Sequence, residues 1–531
     1  MSHIYPDVRL DALRTLDVLL AAAPRAVAHG WDAHDTGAAR VMAGYRDLLG
    51  LAQSANSTVA SDLSAAAKVR LLSSLRSFVE AAASSARSDE APKEDEAALR
   101  CPTWFFRPAF NSASVYDAFA SAFTRASTPT LQLGQVPALL DATLAKPAGE
   151  GAWSNSDMQS SLSALQSSLA PAASASSSSS RASSKQTYAS LFSSLAPLLL
   201  SSFLDSAPEA FSPSRDIAAS SSGRTAAIPP LPLAAELCCV IVELTLVLWR
   251  AMGRCSQSGT GSGVEEEQAW RHLDSLLSKI DGYFPFSAFS SSSSSATNAG
   301  TSAPHPALAA SDRRYAELSA LHALHAPRAA GRSSKSLRGQ QARLEQVQRH
   351  MRALLVDASS ARFDWSAPLD STSAPPPPPA ATGSAVALEA AALVDLMPSL
   401  WLLLSQPRAE CGEAEAEQSP QAVYADLLEL WRTSRGETKR LTTHLLAFLS
   451  FAHTFPSYTS VFVPRPTALR RWIGMLPRHL WELGSKSPDA SFVVLEVLRL
   501  YAVRCSSDEL ASPLEEGLRR AASAVGAVAA Q

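Results

Sequence analysis

Leu231 to Trp249 reads LPLAAELCCVIVELTLVLW, the most apolar stretch of the chain. Two carboxylates, Glu236 and Glu243, interrupt it. Each would cost several kcal/mol inside a bilayer, so the stretch reads as a helix buried in protein rather than a membrane span. Cys238 and Cys239 lie within it and read as small core residues. A helix this apolar needs neighbours, and the surrounding sequence supplies them.

The chain has 531 residues, of which 46% are hydrophobic and only 7% aromatic. Ala, Leu and Ser dominate, and Ala and Leu lose little entropy in a helix. Apolar residues recur at helical spacing through most of the sequence. The first such segment carries Val8, Leu13, Leu16, Leu19 and Leu20 near one face and stops at Pro24. Others are predicted over 38–51, 61–83, 112–126, 137–145, 185–204, 232–252, 265–280 and 311–325. The second half predicts helices over 336–358, 386–404, 423–434, 437–452, 467–483, 488–503 and 513–529. No stretch alternates with period two long enough to require a strand. The expected fold is therefore all-α, an irregular HEAT/armadillo-like helical-repeat solenoid, because helices joined by short breaks hide their apolar faces only by stacking.

Low-complexity blocks interrupt the array. The Ser/Ala tract 171–184, the Ser run Ser290–Ser295, the prolines Pro375–Pro379 and the acidic stretch Glu413–Glu417 are expected as disordered or extended insertions.

Charge and cysteine content narrow the function classes. The formal net charge is −3, so no global attraction to nucleic acid exists. The six cysteines form no CxxC pair and no zinc-spaced cluster, which suits a reducing compartment. Asp7, Arg9 and Asp11 in the first turns do not read as a signal peptide, and the chain is expected to be soluble. Phosphate-binding loops, HExxH and GxSxG are all missing, so no catalytic, cofactor or metal residue is nominated. His322 and His325 are spaced i, i+3, but no cysteine or acidic partner completes a metal set, and a packed helix face is the better reading. Arg328, Arg332, Lys335, Arg338, Arg343, Arg349 and Arg352 fall within one loop and helix. They read either as a solvated face or as a contact for RNA phosphates or an acidic partner, with Arg338, Arg343 and Arg349 the candidates.

A family resemblance rests on ordered motifs. Met1-Ser2-His3-Ile4-Tyr5-Pro6-Asp7-Val8-Arg9 with Leu16 and Val18-Leu19-Leu20, then Trp31 through Tyr45 to Leu51, then Leu72 to Glu80, resemble the opening of the Ipi pre-rRNA-processing family (testis-expressed protein 10-like). Tyr188 to Phe211, Tyr283-Phe284-Pro285-Phe286, Tyr315-Ala316-Glu317-Leu318 and Arg471-Trp472 through Leu480-Trp481-Glu482-Leu483-Gly484 are similar to later family elements. Gly37 and Ala38 depart from its usual bulky residues. A Lys-rich segment commonly precedes the first element in the family, whereas here Met1 falls on it, so an import or rRNA contact housed there is expected to be missing or encoded upstream.

The resemblance implies an Ipi-like helical-repeat domain over 1–212, with the insertion near 171–184. It also implies a helical-repeat region over 213–531 with insertions near 288–310, 366–384 and 406–420. It implies a non-catalytic scaffold of the Rix complex, acting in pre-rRNA internal-spacer processing and 60S maturation in the nucleolus and nucleoplasm. Implied partners are a WD-repeat protein, a second helical scaffold, the midasin AAA ATPase and the pre-60S particle, with direct RNA contact open and no membrane. Competing readings are a HEAT-type adaptor in nuclear transport or trafficking, and an enzyme with an unrecognised site. Arg9 and Asp11 are expected to cap or pair between helices, and Leu16, Leu19 and Leu20 to fill the core. Trp472 and Trp481 are nine residues apart on one helix, hence half a turn apart. At most one can face the core squarely, and the other is a candidate partner anchor.

Overall fold

The computed structural model describes residues 6–32, 36–51, 63–85, 101–126, 177–211, 230–255, 264–291, 305–325, 334–356, 363, 365, 388–406, 419–454, 457–459, 462–483 and 487–504. Among these residues every regular element is helical, and one isolated antiparallel bridge joins Phe110 and Tyr458. The elements are α1 (Pro6–Ala22), α2 (Pro24–Ala28), α3 (Gly37–Leu48), α4 (Ala65–Ser85), α5 (Ala113–Ala126), α6 (Ser177–Ala210), α7 (Leu233–Cys255), α8 (Val264–Ile280), α9 (Ala288–Ser291) and α10 (Pro306–His325). They continue with α11 (Ser334–Leu355), α12 (Ala390–Leu404), α13 (Pro420–Thr433), α14 (Gly436–Thr454), α15 (Pro466–Leu483) and α16 (Pro488–Arg504), and 3₁₀ turns cover Trp104–Ala109 and Asp281–Tyr283.

Local chemistry sets several helix ends. Pro residues open α1, α2, α10, α13, α15 and α16, where the missing N–H would have had no intrahelical partner. Thr36 Oγ1 accepts from the Ala39 N–H at 3.0 Å to cap α3 and donates back to Gly30 O at 2.8 Å. Gly30 has φ +68°, a left-handed turn that a side chain would strain.

The contacts group the described residues into two compact units. One unit joins residues 1–96 to 175–347, and the other joins 97–174 to 348–531. The first unit is organised by α7, which packs against α4, α6 and α10. Ile241, Val242, Leu244 and Leu248 on α7 are fully buried. Each such side chain contributes about 1.5–3 kcal/mol on leaving water. Trp249 of α7 meets Phe192 of α6 at 5.5 Å and Trp270 of α8 at 4.1 Å. The two carboxylates of α7 have separate fates. Glu236 is exposed. Glu243 receives Arg76 from α4 and Arg314 from α10. About two turns of helix beyond, Arg250 donates to Glu317 of α10 through Nε at 2.6 Å and Nη2 at 2.5 Å.

Thr187–Ala210 within α6 is the one described helical stretch long and apolar enough to cross a membrane. It packs against α7 and α8, as a core helix of that composition would. The Phe284-Pro285-Phe286 element is turned inward by Asp312 of α10, whose carboxylate accepts from the Phe286 N–H at 2.6 Å and the Ser287 N–H at 3.2 Å. Burial pushes the Asp312 carboxyl up to about 6 in spite of these bonds.

The second unit centres on an aromatic cluster. Phe106 lies in the first 3₁₀ turn, fully buried, with its ring 4.5 Å from Trp401 of α12 and 4.4 Å from Phe448 of α14. Phe119 and Phe123 of α5 reach the same Phe448 ring, at 5.2 and 5.1 Å. The turn is fastened by Asn111 N–H to Ser457 O at 3.0 Å and Thr459 N–H to Ala109 O at 2.7 Å.

Several expectations need correction. Ser177–Ser184 is helical, the start of α6, because extending a helix already held by packing costs little. The block 288–310 is ordered at both ends, by α9 and by the first turns of α10. Leu19 is 50% exposed, since Leu13, Leu16 and Leu20 occupy the buried face and Leu19 sits about 100° from Leu20. Asp11 pairs locally with exposed Arg14 at 3.1 Å rather than between helices. The helices expected over 137–145 and 513–529, the tract 171–176, the insertion 366–384 and the acidic stretch Glu413–Glu417 lie outside the described residues, as does the Arg9 side chain.

Truncating Phe106 to Ala should cost about 3–5 kcal/mol, the usual penalty for emptying an aromatic core position. Urea denaturation of the full chain, followed by circular dichroism, reads this directly.

Candidate partner-binding surfaces

Helix α15 is the sharpest two-sided element. Ala468, Trp472, Leu476 and Leu480 recur every fourth residue on its inner side and are buried. Trp472 is 0% exposed and Trp481 is 69% exposed, the half-turn offset that nine residues impose. Trp472 meets Trp431 of α13 edge-on at 6.2 Å, and Trp431 donates through Nε1 to Thr443 of α14 at 3.0 Å. Trp472 is thus a core residue, which corrects its candidacy as an exposed anchor. Gln421 at the start of α13 holds the entry to α15, donating to Val463 O at 2.6 Å and accepting from the Arg465 N–H at 3.2 Å.

His479 sits beneath Trp481 on the same helix. Its ring is 5.4 Å from Trp431, and its Nε2 lies 3.3 Å from Thr443 Oγ1. Burial first, and the Lys439 ammonium second, push it down to about 3, and the Glu482 carboxylate 4.0 Å away does not offset them. His444 of α14 and His350 of α11 are both pushed down to about 4, mainly by burial.

The outward side of α15 carries Arg470, Gly474, Arg478 and Trp481, all exposed. Arg478 Nε donates to Glu482 at 3.2 Å, and Lys439 Nζ of α14 lies 3.7 Å from the same carboxylate. Arg471 stacks over Phe363 at 5.0 Å.

The basic residues of α11 separate. Arg338 and Arg349 are exposed. Arg343 is 6% exposed, with Nε donating to Asp281 at 2.8 Å and Nη1 3.6 Å from Asp274. It is a structural cation, not a contact for RNA or a partner, because two carboxylates on the neighbouring chain segment claim it. Tyr315 also donates to Asp281, so one carboxylate gathers α10 and α11. Arg352 is likewise engaged, with Asp426 at 2.5 Å. His322 is fully buried, 5.6 Å from the Trp270 ring and 3.6 Å from Asp274. The described residues contain no group of three or more His, Cys, Asp or Glu able to hold a metal.

A groove of about 450 Å³ runs between α1, α2 and α4, lined by Asp17, Leu20, Arg25, Ser74, Ser77 and Glu80 among others. Ser74 donates to Asp17 at 2.5 Å and shares a 2.7 Å bond with Tyr45 of α3, tying three helices together. Val18 and Leu19 on α1 are 67% and 50% exposed. The sequence could not single out this groove, since nothing in the periodicity shows which helices leave a gap.

Residues 1–79, covering α1 to α3 and α4 as far as Val79, match a family model described as Rix1 complex component involved in 60S ribosome maturation. No curated protein and no solved structure matches the chain.

Two outcomes check this geometry. Arg343→Met should destabilise the chain by about 2–4 kcal/mol by stranding two partly buried carboxylates, whereas Arg349→Glu should fall within about 0.5 kcal/mol of wild type in the same urea titration. The histidines bind protons more readily unfolded (ordinary value 6.5) than folded. Stability is therefore full above pH 6.5 and falls as pH drops toward 4, by roughly 1–2 kcal/mol per histidine at pH 5. All three lie in the unit containing 348–531, so that unit should unfold first on acidification. His479→Gln should flatten the pH dependence of the urea midpoint.

Proposed function

We propose, from the match of residues 1–79 to the model of a family of Rix1 complex components, that this chain is a non-catalytic scaffold subunit of such a complex. The family implies a role in 60S ribosome maturation. On this reading the chain works in the nucleolus and nucleoplasm, in the processing of the pre-rRNA internal spacer. It joins a WD-repeat subunit and a second helical scaffold and helps present the pre-60S particle to the midasin ATPase.

The all-helical architecture supports the reading in a general way. We take the packed helices as an irregular HEAT/armadillo-like array, in which each layer's outer face remains available to a neighbour. The described side chains with the most displaced pKa values are held by burial or by structural ion pairs. Trp481, Arg338 and Arg349 are the exposed residues we assign to partner contact.

The test is purification of the tagged chain followed by sucrose-gradient sedimentation. Co-sedimentation with precursor 60S particles, with a WD-repeat protein and midasin recovered, is expected. Recovery of importins and cargo alone, with no particle association, would overturn the proposal.

A further inference from the structure

We propose that the outward stripe of α15, formed by Arg470, Gly474, Arg478 and Trp481, is the docking face for an acidic amphipathic helix of a partner protein. The proposal deepens the scaffold reading and rests on it only in requiring that a partner exist.

Four observations carry it. The residues are spaced i, i+4, i+8 and i+11, so they form one line about 16 Å long, the length of three turns of an opposing helix. Trp481 ends that line at 69% exposure, a large apolar surface left in water. Gly474 leaves a notch halfway along. A Cβ built there would meet nothing within 4 Å, so a partner side chain can approach the backbone. The charge around the stripe is predominantly positive. Arg470 has no acidic partner among the described residues, and Lys439, held down first by burial and drawn the other way by Glu482, also feels the repulsion of Arg478 and Arg435. Among the described residues Glu482 is the one carboxylate in contact with this group, bonded to Arg478 and near Lys439. The surplus cations call for carboxylates from outside.

A helix with Glu or Asp every fourth residue and Leu or Met beside them satisfies all four features. Its carboxylates would meet Arg470 and Arg478, and its apolar side chains would cover Trp481 and enter the notch. Nucleic acid fits less well. Glu482 adjoins Trp481 and is 42% exposed, so a phosphate following a stacked base would meet a negative charge.

Fluorescence anisotropy with the purified full chain tests this. The probes are a labelled 18-residue Glu/Ala/Leu helical peptide, with Glu at every fourth position, and a labelled 20-nucleotide oligouridylate. The peptide should bind more tightly than the RNA, weaken with added salt, and lose about tenfold in affinity with Trp481→Ala and again with Arg470→Glu. Arg271→Glu, an exposed charge reversal in the other unit, should leave binding unchanged. Circular dichroism confirms that each variant folds. Absence of peptide binding, insensitivity to Trp481→Ala, or preferential RNA binding lost on the same substitutions would each overturn the proposal. None of these depends on particle association, so failure here is separable from failure of the scaffold reading.

Discussion

Helix α7 cannot be stable alone, because almost every side along its length is apolar. Water must be excluded from it by other helices, and α4, α6, α8 and α10 are the ones that do so. The ion pairs then follow from this enclosure. Glu243 enters the packed region with the helix, and Arg76 and Arg314 reach it from two of the covering helices. A carboxylate held by cations from both sides fixes the rotation and height of α4 and α10 around α7 more sharply than aliphatic contact could. The Arg250–Glu317 pair repeats the device further along. Through α4, the segment that matches the Rix1-complex family is bound into this arrangement.

Helix α15 expresses the same physics with a different outcome. Its inner side is locked by Trp472, Leu476 and Leu480. Its outer side therefore stands on a rigid base, and an exposed tryptophan there loses little further freedom when covered. Rigidity on one side makes the other side useful for recognition. The exposed residues of α11 sit on a helix anchored in the same manner, with Arg343 inside and Arg338 and Arg349 outside.

Most helices were legible because their apolar period is long and uninterrupted, and α8, α13 and α15 lie within three residues of the expected ends. The orientation of Trp472 and Trp481 was legible too, since it depends only on their spacing. What could not be read was anything set by distant partners. Arg343 looks like its neighbours Arg338 and Arg349 along the helix, and Asp281, which takes it inward, lies sixty-two residues away. Trp104 to Phe106 went unread because six residues containing Pro108 show no periodicity, although three adjacent aromatics were a signal of burial. Serine composition suggested disorder at Ser177–Ser184, but composition cannot register that a packed helix lies immediately downstream.

The interleaving of the two units has a consequence for biosynthesis. Residues 1–96 belong with 175–347, while 97–174 belong with 348–531. On a translating ribosome α4 therefore emerges long before its cover. At about 5–20 residues per second, the wait for α7 is on the order of ten to thirty seconds. During that interval the side of α4 that packs on α7 is bare, and a chaperone able to hold an amphipathic helix would have its longest engagement there. That interval of exposure falls on the segment that matches the family model.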